Sequence, residues 1–375
     1  MHRLQFHYTL SRDSSPASVR NPLIDLLQAV AGAGSISGGA RALGLSYRHV
    51  WGELKRWENE LGNELVVWDK GHAARLTDFG AKLMWAERQA QARLAPQIEA
   101  LRAELERSFA IAFDDTAHVV TLYASHDEAL GSLREHALQL EQGQLHLDIR
   151  FSGSVDAIRA LNEGRCVMAG FHTLRDAGPH TLTQRTYQPL LQPGRHKVIG
   201  FARRTQGLMV ARGNPLAIQT LPDLARTQAR FVNRVLGTGT RVVLDELLAR
   251  AGIASGMIKG YAHTEPSHTA VAQVVAAGQA DAALGIAVAA GRAGLDFVPL
   301  LEEQYHLVCL KSALTQPGIV ALLALLRSPA WHRQINAIAG YAASQSGEIL
   351  SMRRVLPWWD FPAKKQALTA ARRRS

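Results

Sequence analysis

Small polar side chains follow three segments of this 375-residue chain that are predicted to be buried β-strands. They are Ser125-His126, Ser152-Gly153-Ser154 and His172-Thr173. Hydroxyl and imidazole groups donate hydrogen bonds, and in open α/β sheets ligands bind beyond the carboxyl ends of the strands. Ser154 also begins a predicted helix, whose free N–H groups and dipole favour negative charge. These positions predict a site for a small anion.

A second predicted helix start offers the same chemistry. The stretch 237–241 reads Gly-Thr-Gly-Thr-Arg: glycine allows close backbone approach, threonine hydroxyls donate hydrogen bonds, and Arg241 or Arg234 supplies charge. The predicted ligand-binding residues are Ser125, His126, Ser152, Ser154, His172, Asn233, Arg234, Thr238, Gly239, Thr240 and Arg241. Two alternatives stay open: the loop is a simple N-cap turn, and His126 and His172 are structural histidines.

The segments that carry these residues alternate between strand and helix. Predicted strands cover residues 119–124, 145–151, 167–171, 198–210, 230–235 and 280–286, and predicted helices cover 127–139, 155–163, 240–250 and 268–277. A βαβαβ order implies a parallel sheet with right-handed crossovers. Residues 156–171 and 269–286 also repeat one pattern of helix, glycine and small-residue strand. The predicted fold class is α/β, with two lobes joined by crossing strands.

Near the N-terminus, Ala40, Gly44 and Val50 have the spacing of a helix-turn-helix. Ala40 must be small where the second helix crosses, Gly44 takes the positive φ of the turn, and Val50 points into the core. Ser46 is placed to cap the recognition helix. An ordinary αα corner is the alternative for this motif.

The surrounding elements favour a winged helix-turn-helix. An amphipathic helix follows Asn21-Pro22, and a predicted hairpin with a Lys70-Gly71 turn follows the motif. Arginine can pair with guanine edges in the major groove, and wing cations meet phosphates. The predicted DNA-contacting residues are Ser35, Ser46, Tyr47, Arg48, His49, Lys55, Arg56, Lys70 and Arg75, with His72 also on the wing. A solvated polar face is the alternative for these side chains.

A long predicted helix follows the wing, from Thr77 to about Arg107. Its apolar residues Leu94, Ile98, Leu101 and Leu105 keep the 4-3-4 spacing of a coiled coil. Pro96 predicts a kink or two abutting helices near Ala95. Such an apolar stripe predicts self-association as a homodimer or tetramer, which would present two recognition helices to a palindromic DNA site.

The distribution of charge limits what the net charge of +10 implies. Residues 22–85 carry seven basic and seven acidic residues, whereas residues 351–375 carry seven basic residues against one acidic residue, a net of +6. The basic tail is either a solvated end or an auxiliary arm that contacts phosphates. DNA binding must therefore be argued from local placement.

Two sequence features bear on the compartment. No N-terminal apolar signal segment and no run of 18 apolar residues occur, which predicts a cytoplasmic protein without membrane association. Cys166 and Cys309 both lie in apolar, strand-like runs and are expected to be buried thiols.

Motifs for catalysis and metal binding are missing from the sequence. Walker loops, Gly-x-Ser-x-Gly, Cys-x-x-Cys and His-Glu-x-x-His do not occur, and adjacent Ser125-His126-Asp127 side chains cannot form a catalytic triad. His263, Glu265 and His268 lack the closing spacing of a metal site. Asp281 at a strand start is expected to be a hinge or cap residue. We expect neither catalysis nor a bound cofactor.

Two stretches resemble known families. Residues 22–85, from GSISGGARALGLSYRHVWGELKRWENELGNELV to ARLTDFG, resemble the N-terminal domains of LysR-type regulators and, still more closely, of molybdate-responsive repressors. Residues 118–310, with Phe151-Ser152-Gly153-Ser154 and Gly278-Gln279-Ala280-Asp281, look like the periplasmic-binding-protein-like domain of cytoplasmic regulators and molybdopterin-biosynthesis proteins. The resemblance implies ligand capture between two lobes.

These observations give one hypothesis and one alternative. Residues 1–76 are expected to be a winged helix-turn-helix domain, 77–110 a dimerisation helix, 111–350 a two-lobed ligand-binding domain and 351–375 a basic tail. The hypothesis is a transcriptional regulator that senses molybdate, tungstate, a molybdenum-cofactor-related ligand or a small carboxylate such as formate. The alternative is a molybdopterin-assembly enzyme or chaperone whose helix-turn-helix serves as a docking module.

Overall fold

The computed structural model describes residues 21–68, 73–113, 118–140, 145–174, 179–356 and 358–359. The chain divides into two compact units, one ending at Glu99 and one beginning at Ala100. Lys70 and His72 of the predicted wing, and residues 360–375 of the basic tail, lie outside the described residues. No single helix within these ranges is long and apolar enough to cross a membrane, and one bent pair, Pro22–Ala33 with Ile36–Ala42, reaches that length and apolarity jointly.

The first unit has three short helices and a hairpin. They are α1 (Pro22–Ala33), α2 (Ile36–Ala42), α3 (Tyr47–Leu61), β1 (Val66–Val67) and β2 (Arg75–Leu76), with β1 antiparallel to β2. α1 begins where the Asn21 side chain accepts a hydrogen bond from Leu23 N, and it ends at Gly34 in the left-handed region. The predicted order of helix, helix-turn-helix and hairpin is confirmed.

Small residues in α2 and in the turn that follows it shape the helix-turn-helix. Ala40 is buried, as predicted, and Gly44 has a φ of +67°. Two glycines of α2 approach α1 closely: a Cβ at Gly38 would lie 2.7 Å from Ala33 Cβ, and a Cβ at Gly39 would lie 2.9 Å from Val30 N. The spacing of the motif indicated Ala40 but not these glycines, because helix crossing points depend on side-chain packing that periodicity alone does not resolve.

The long helix α4 (Asp78–Phe113) runs without interruption through Pro96. The expectation of two abutting helices near Ala95 is therefore wrong. The loss of one backbone donor is tolerated because the residues on both sides, mainly Ala, Gln, Leu, Glu and Arg, favour helix. The helix also extends past the predicted end at Arg107.

The second unit contains ten further helices and ten strands among the described residues. Its first half comprises β3 (His118–Ala124), α5 (Glu128–Leu140), β4 (Leu145–Phe151), α6 (Ser154–Asn162), β5 (Met168–Leu174), α7 (Leu182–Tyr187) and β6 (His196–Val210). Its second half comprises α8 (Leu221–Arg226), β7 (Phe231–Arg234), α9 (Gly239–Arg250), β8 (Thr264–Glu265), α10 (His268–Ala276), β9 (Ala282–Ile286), α11 (Ala287–Ala293), β10 (Asp296–Leu310), α12 (Pro317–Arg327), α13 (Pro329–Asn336), β11 (Tyr341–Ala343), β12 (Ile349–Leu350) and α14 (Met352–Val355).

The strands follow the order β4-β3-β5-β10-β6-β9-β7-β8. β3 pairs in parallel with β4 and β5, and β7 pairs in parallel with β8 and β9. Each end of the sheet is therefore a group of three parallel strands that belongs to one lobe. Between them β6 and β10 run antiparallel along nearly their full lengths and connect the two lobes. The predicted two-lobed α/β architecture is confirmed, although the sequence analysis did not identify β10.

The internal repeat is confirmed as two helix–glycine–strand units. α6 leads through Gly164 to β5, and α10 leads through Gly278 to β9. The φ values of these glycines are +74° and +70°. Positive φ at these helix ends is available to glycine without a Cβ clash. The repeat therefore reflects one packing solution used once in each lobe.

Both cysteines are free and buried, as predicted. Burial raises the pKa of the Cys166 and Cys309 thiols to about 11. Neither thiol is therefore a nucleophile at neutral pH.

Three of the four apolar residues predicted as a stripe on α4 are exposed in the isolated chain, and the fourth, Ile98, is half-buried. Leu94, Leu101, Leu105 and Phe109 are all exposed, and Leu101 is the most exposed of the four, at 57%. A row of large apolar residues on one helix face is typical of an association surface.

We expect Leu101→Asp to shift the protein toward monomer, because it places a charge within this row. Light scattering over a concentration series measures the change, and Leu101→Met, which keeps the side chain apolar, should retain the wild-type mass. An unchanged mass for Leu101→Asp would place the self-association surface elsewhere.

Candidate functional site

The two predicted anion-binding helix starts lie against each other between the lobes. α6 begins at Ser154 without a side-chain cap, and α9 begins at Gly239 with Thr238 as its cap. Val155 N donates a hydrogen bond of 3.3 Å to Gly237 O, which bridges the two loops. A Cβ at Gly153 would lie 2.7 Å from the same oxygen, so glycine is required for this contact. The structure thus brings together the two segments that the sequence paired.

Arg234, at the end of β7, is the least satisfied charged group near these helix starts. Its side chain is buried, and its Nη2 donates to Pro266 O at 2.9 Å. Its Nε and Nη1 have no hydrogen-bond partner among the described residues. Burial, with the nearby Arg204 charge, lowers the pKa of Arg234 to about 9. A buried guanidinium without a carboxylate partner is costly, so this position is suited to receive an anion.

Arg204 has the opposite character, because it is fully neutralised. Its Nη1 donates to Asp127 Oδ2 and its Nε to Glu303 Oε1, all three side chains being buried. Tyr341 Oη donates to Asp127 Oδ2 at 2.7 Å. The cluster links the residue before α5 with β6, β10 and β11 at the crossing strands. It was not among the predicted site residues, although charged residues inside otherwise apolar strand sequences were an available signal.

Two buried histidines lie in the same region. Neither ring nitrogen of His172 has a hydrogen-bond partner in the described part of the chain, and Nδ1 lies 3.6 Å from Glu303 Oε1. His268 Nε2 is 3.3 Å from Thr240 Oγ1, while its Nδ1 has no such partner. Burial, followed by the charges of Arg204 and Arg234, holds the pKa of both imidazoles well below the usual value. Both are neutral at pH 7.

The remaining predicted residues of the first lobe line the same region. Ser125 Oγ is 3.5 Å from Ser154 Oγ, and Ser152 Oγ has no hydrogen-bond partner in the described ranges. The His126 ring packs against Phe151, with centroids 4.8 Å apart. The serine hydroxyls are thus available at the amino end of α6, whereas His126 has a packing role.

Arg241, in the second lobe, already has partners for its charge within the protein. Arg241 Nε donates to Asp245 Oδ1 at 3.1 Å, and its guanidinium lies over the Tyr261 ring at 4.1 Å. Asn233 likewise has local partners, donating to Tyr261 O and accepting from Arg234 N. Of the two arginines that the sequence left as alternatives, the geometry therefore favours Arg234 for an anion.

Two other residues considered from the sequence have different surroundings. Asp281 accepts from Arg230 N and forms an ion pair of 2.6 Å with its guanidinium, which suits the expected cap role. Glu265 and His268 were considered with His263 as metal ligands. Among the described residues, no group of three or more His, Cys, Asp or Glu is arranged to hold a metal ion.

The other candidate surface is the amino end of α3. Ser46 Oγ accepts from His49 N at 3.2 Å and fixes the helix start, which leaves Tyr47, Arg48 and His49 exposed. Trp51 extends this surface. Ser35 plays the same capping role for α2, accepting from Gly38 N. Arg75 is exposed on the hairpin strand β2.

Further along α3 the cations have intramolecular partners. Lys55 pairs with Glu58 at 2.7 Å and lies over the exposed Trp68 ring at 5.3 Å, and Arg56 pairs with Glu53. Glu58 is buried and also accepts from Leu65 N and Val66 N, which ties the hairpin to α3. Lys55 therefore helps to position the hairpin, whereas Arg48 forms no ion pair with any residue that the structure describes.

Comparison with known proteins finds matches for both units. Residues 23–81 match bacterial regulatory helix-turn-helix proteins of the lysR family, and residues 135–327, about half of the chain, match the PBP superfamily domain. The uncharacterized protein YvgK of Bacillus subtilis is 32% identical over 201 residues, 54% of this chain. The chain spans 64% of the length of YvgK.

Two further proteins are similar to parts of the chain. An uncharacterized protein encoded in the 5′ region of the ferredoxin 2Fe-2S gene of Clostridium pasteurianum is 34% identical over 115 residues, covering 29% of this chain and 98% of that protein. Among solved structures, Corynebacterium glutamicum OxyR is similar at 17% identity and a TM-score of 0.42, covering 86% of this chain and 96% of that one.

The buried neutral imidazoles predict an acid-labile protein. Besides His172 and His268, burial lowers the pKa of His306 to about 3, whereas in the unfolded chain each returns to 6.5. The unfolded state therefore binds more protons below pH 6.5, and stability falls as the pH drops toward 4.

We expect the ligand-free protein to be less stable at about pH 5 than at about pH 7.5, by up to about 2 kcal/mol for each of the three imidazoles. Urea unfolding at the two pH values measures the difference. A His306→Gln variant should show a smaller difference, and equal stabilities of the wild type at both pH values would contradict the expectation.

Proposed function

Because the chain belongs to the PBP superfamily through residues 135–327 and carries a lysR-family helix-turn-helix at residues 23–81, we propose that it is a ligand-responsive transcriptional regulator. The first unit would bind operator DNA, and the cleft between the two lobes would bind a small anion. The observation that carries the anion proposal is Arg234, a buried cation beside two helix starts that has no carboxylate partner among the described residues.

The exposed start of α3 supports DNA binding. Arg48 is exposed on the first turn, where a recognition helix meets base edges, and a guanidinium can donate two hydrogen bonds to guanine. Tyr47 and His49 flank it, and Arg75 on the hairpin can meet a phosphate. A dimer formed through α4 would present two such helices to a palindromic site.

The chemistry of the cleft supports a small anionic effector. Arg234 offers two guanidinium donors, Ser152 offers a hydroxyl, and the amino end of α6 offers backbone N–H groups. Molybdate or tungstate, a molybdenum-cofactor-related ligand, and a small carboxylate such as formate all carry the acceptor oxygens that such donors need. The resemblance noted from the sequence favours molybdenum, tungsten or formate metabolism among them.

A contact near the end of α4 offers a route from effector to DNA. Arg107 on α4 lies 3.8 Å from the buried carboxylate of Asp148 on β4, and Arg150 lies 3.5 Å from the same side chain. Closure of the two lobes around an anion would shift β4 and, through this ion pair, the helix that follows the hairpin. The effector would then bias the population of two DNA-binding arrangements.

Arg48→Ala should weaken binding to the operator by about 1–3 kcal/mol and reduce discrimination against random DNA, because a contact to a base edge is lost. The measurement is fluorescence anisotropy with the full-length protein, and Arg212→Ala, which removes an exposed arginine of the other unit, is the control. Equal weakening on both DNAs would instead assign Arg48 to a phosphate, and wild-type protein without sequence preference would favour the docking-module alternative.

Arg234→Met should abolish the rise in melting temperature that molybdate, tungstate or formate produces, since it removes the free guanidinium. The ligand-free variant should be at least as stable as the wild type, because an unpaired buried charge is removed. Arg241→Met is the matched control and should retain the anion-induced rise. If only Arg241→Met lost the anion-induced rise in melting temperature, Arg241 would be the residue that binds the anion, and the assignment to Arg234 would be contradicted.

A further inference from the structure

The buried groups around the cleft have balanced charges when the histidines are neutral. Arg204 is paired with both Asp127 and Glu303, a triad that carries one excess negative charge, and Arg234 carries one positive charge. Burial raises the pKa of Glu303, although Arg204 opposes the shift. An added anion would therefore leave the site with net negative charge in a low-dielectric environment, which is unfavourable unless a further positive charge is supplied.

The two imidazoles are the groups that can supply it. Among the described residues, the titratable and charged groups around His172 and His268 are Arg204 on β6, Arg234 on β7, Glu303, Tyr305 and His306 on β10, Asp127 and His126 after β3, Tyr187 on α7, and Tyr341 on β11. In this set the arginines stay charged, and the carboxylates of Asp127 and Glu303 already form ion pairs with Arg204. Protonation of an imidazole is the change that adds positive charge without breaking an ion pair.

His172 is held rigidly in position for such a role. Its ring lies 4.0 Å from the Tyr305 ring, and on the other side it packs against the first residue of α9, where a Cβ at Gly239 would be 2.4 Å from its Cδ2. Neither of its ring nitrogens has a hydrogen-bond partner within the described ranges. The imidazole therefore stands at a helix amino end with unused hydrogen-bonding capacity.

His268 approaches the same helix from α10. Its Nε2 lies 3.3 Å from Thr240 Oγ1, and that hydroxyl also accepts from Gln206 Nε2 at 3.2 Å. Its Nδ1 has no partner in the described part of the chain. A hydroxyl that accepts from Gln206 can donate to Nε2, which then leaves Nδ1 to carry the N–H of the neutral ring.

We propose that the cleft binds its anion together with a proton, which is taken from solvent by His172 or His268. This inference rests on the anion-binding function proposed above. A neutral imidazole has one N–H and one lone pair, and the lone pair repels a fully deprotonated oxyanion. Protonation turns both ring nitrogens into donors and makes the hydrogen bond to the anion charge-assisted. The proton thus removes the repulsion by the lone pair, strengthens the hydrogen bond from the ring and offsets the added negative charge.

The proposal has a consequence for ligand selection. Because the buried charges already balance, a dianion adds two uncompensated negative charges to the site, whereas a monoanion adds one. Molybdate should therefore draw a proton into the site more strongly than formate does. Molybdate affinity should also fall as the pH rises, by about tenfold for each pH unit if one proton is taken up.

The test is calorimetric titration of the full-length protein with sodium molybdate near pH 7 in PIPES and in Tris, which differ in their enthalpies of ionisation. Proton uptake makes the observed enthalpy depend on the buffer, and the slope should correspond to about one proton per bound molybdate. Molybdate stays deprotonated at these pH values, so the proton must go to the protein. Affinities at about pH 6.5 and 7.5 provide the second readout, with an expected difference of about tenfold.

Substitutions identify the proton acceptor. Either His172→Gln or His268→Gln should remove the buffer dependence and leave weaker binding that no longer varies with pH. His136→Gln is the matched control, because His136 is also buried with an unpartnered Nε2 but packs against Trp331 instead of the cleft. It should retain the wild-type proton uptake.

The outcomes separate this inference from the function on which it rests. Molybdate binding with equal enthalpies in the two buffers and equal affinities at the two pH values would overturn the proton-coupled mechanism and leave anion sensing intact. Proton uptake that persists in both His172→Gln and His268→Gln would also overturn the assignment. Failure of molybdate, tungstate and formate all to bind would overturn the anion-binding function itself, and this inference with it.

Discussion

The buried ion cluster around Arg204 is the constraint on which the architecture of the second unit depends. A guanidinium inside a protein is tolerated when carboxylates neutralise it and their remaining oxygens are hydrogen-bonded, and removal of one partner of such a pair is strongly destabilising. Asp127, directly before α5, and Glu303 on β10 meet this demand, and Tyr341 donates to Asp127. The first lobe is therefore fixed to both crossing strands at one point, and the charge of Arg234 is left for another partner.

Close backbone approach is the second condition for the cleft. Glycine at positions 153 and 239 removes the Cβ atoms that would collide with Gly237 O and with the His172 ring. The amino ends of α6 and α9 can then come together, and Val155 N reaches Gly237 O across the lobes. This arrangement concentrates backbone donors and helix dipoles where the free guanidinium and the two neutral imidazoles lie. The same packing that closes the lobes thus makes the region attractive to negative charge.

The first unit divides its polar residues between structure and recognition in a comparable way. The buried Glu58 accepts hydrogen bonds from Leu65 N and Val66 N and pairs with Lys55, so part of the cationic face of α3 stabilises the hairpin. Arg48 and its neighbours on the first turn are left exposed by the Ser46 cap. A recognition helix needs both features, because base readout requires side chains that are free and a scaffold that holds their backbone in place.

The sequence alone determined the features that depend on local chemistry and regular spacing. Ser46 caps α3 and Gly44 adopts positive φ as predicted, Thr238 caps α9 as in the alternative interpretation of its loop, and the helix–glycine–strand repeat appears in both lobes. The predicted helix starts at Ser154 and Gly239 also come together. Tertiary structure alone decided which charges are already paired. Arg204 meets Glu303, which is 99 residues away in the chain, and the side chain of Arg241 turns to Asp245 and Tyr261. Within the described ranges, Arg234 is left with two guanidinium nitrogens that have no hydrogen-bond partner. Local sequence sets backbone preference over a few residues, whereas the partner of a buried charge depends on which distant strands pack beside it.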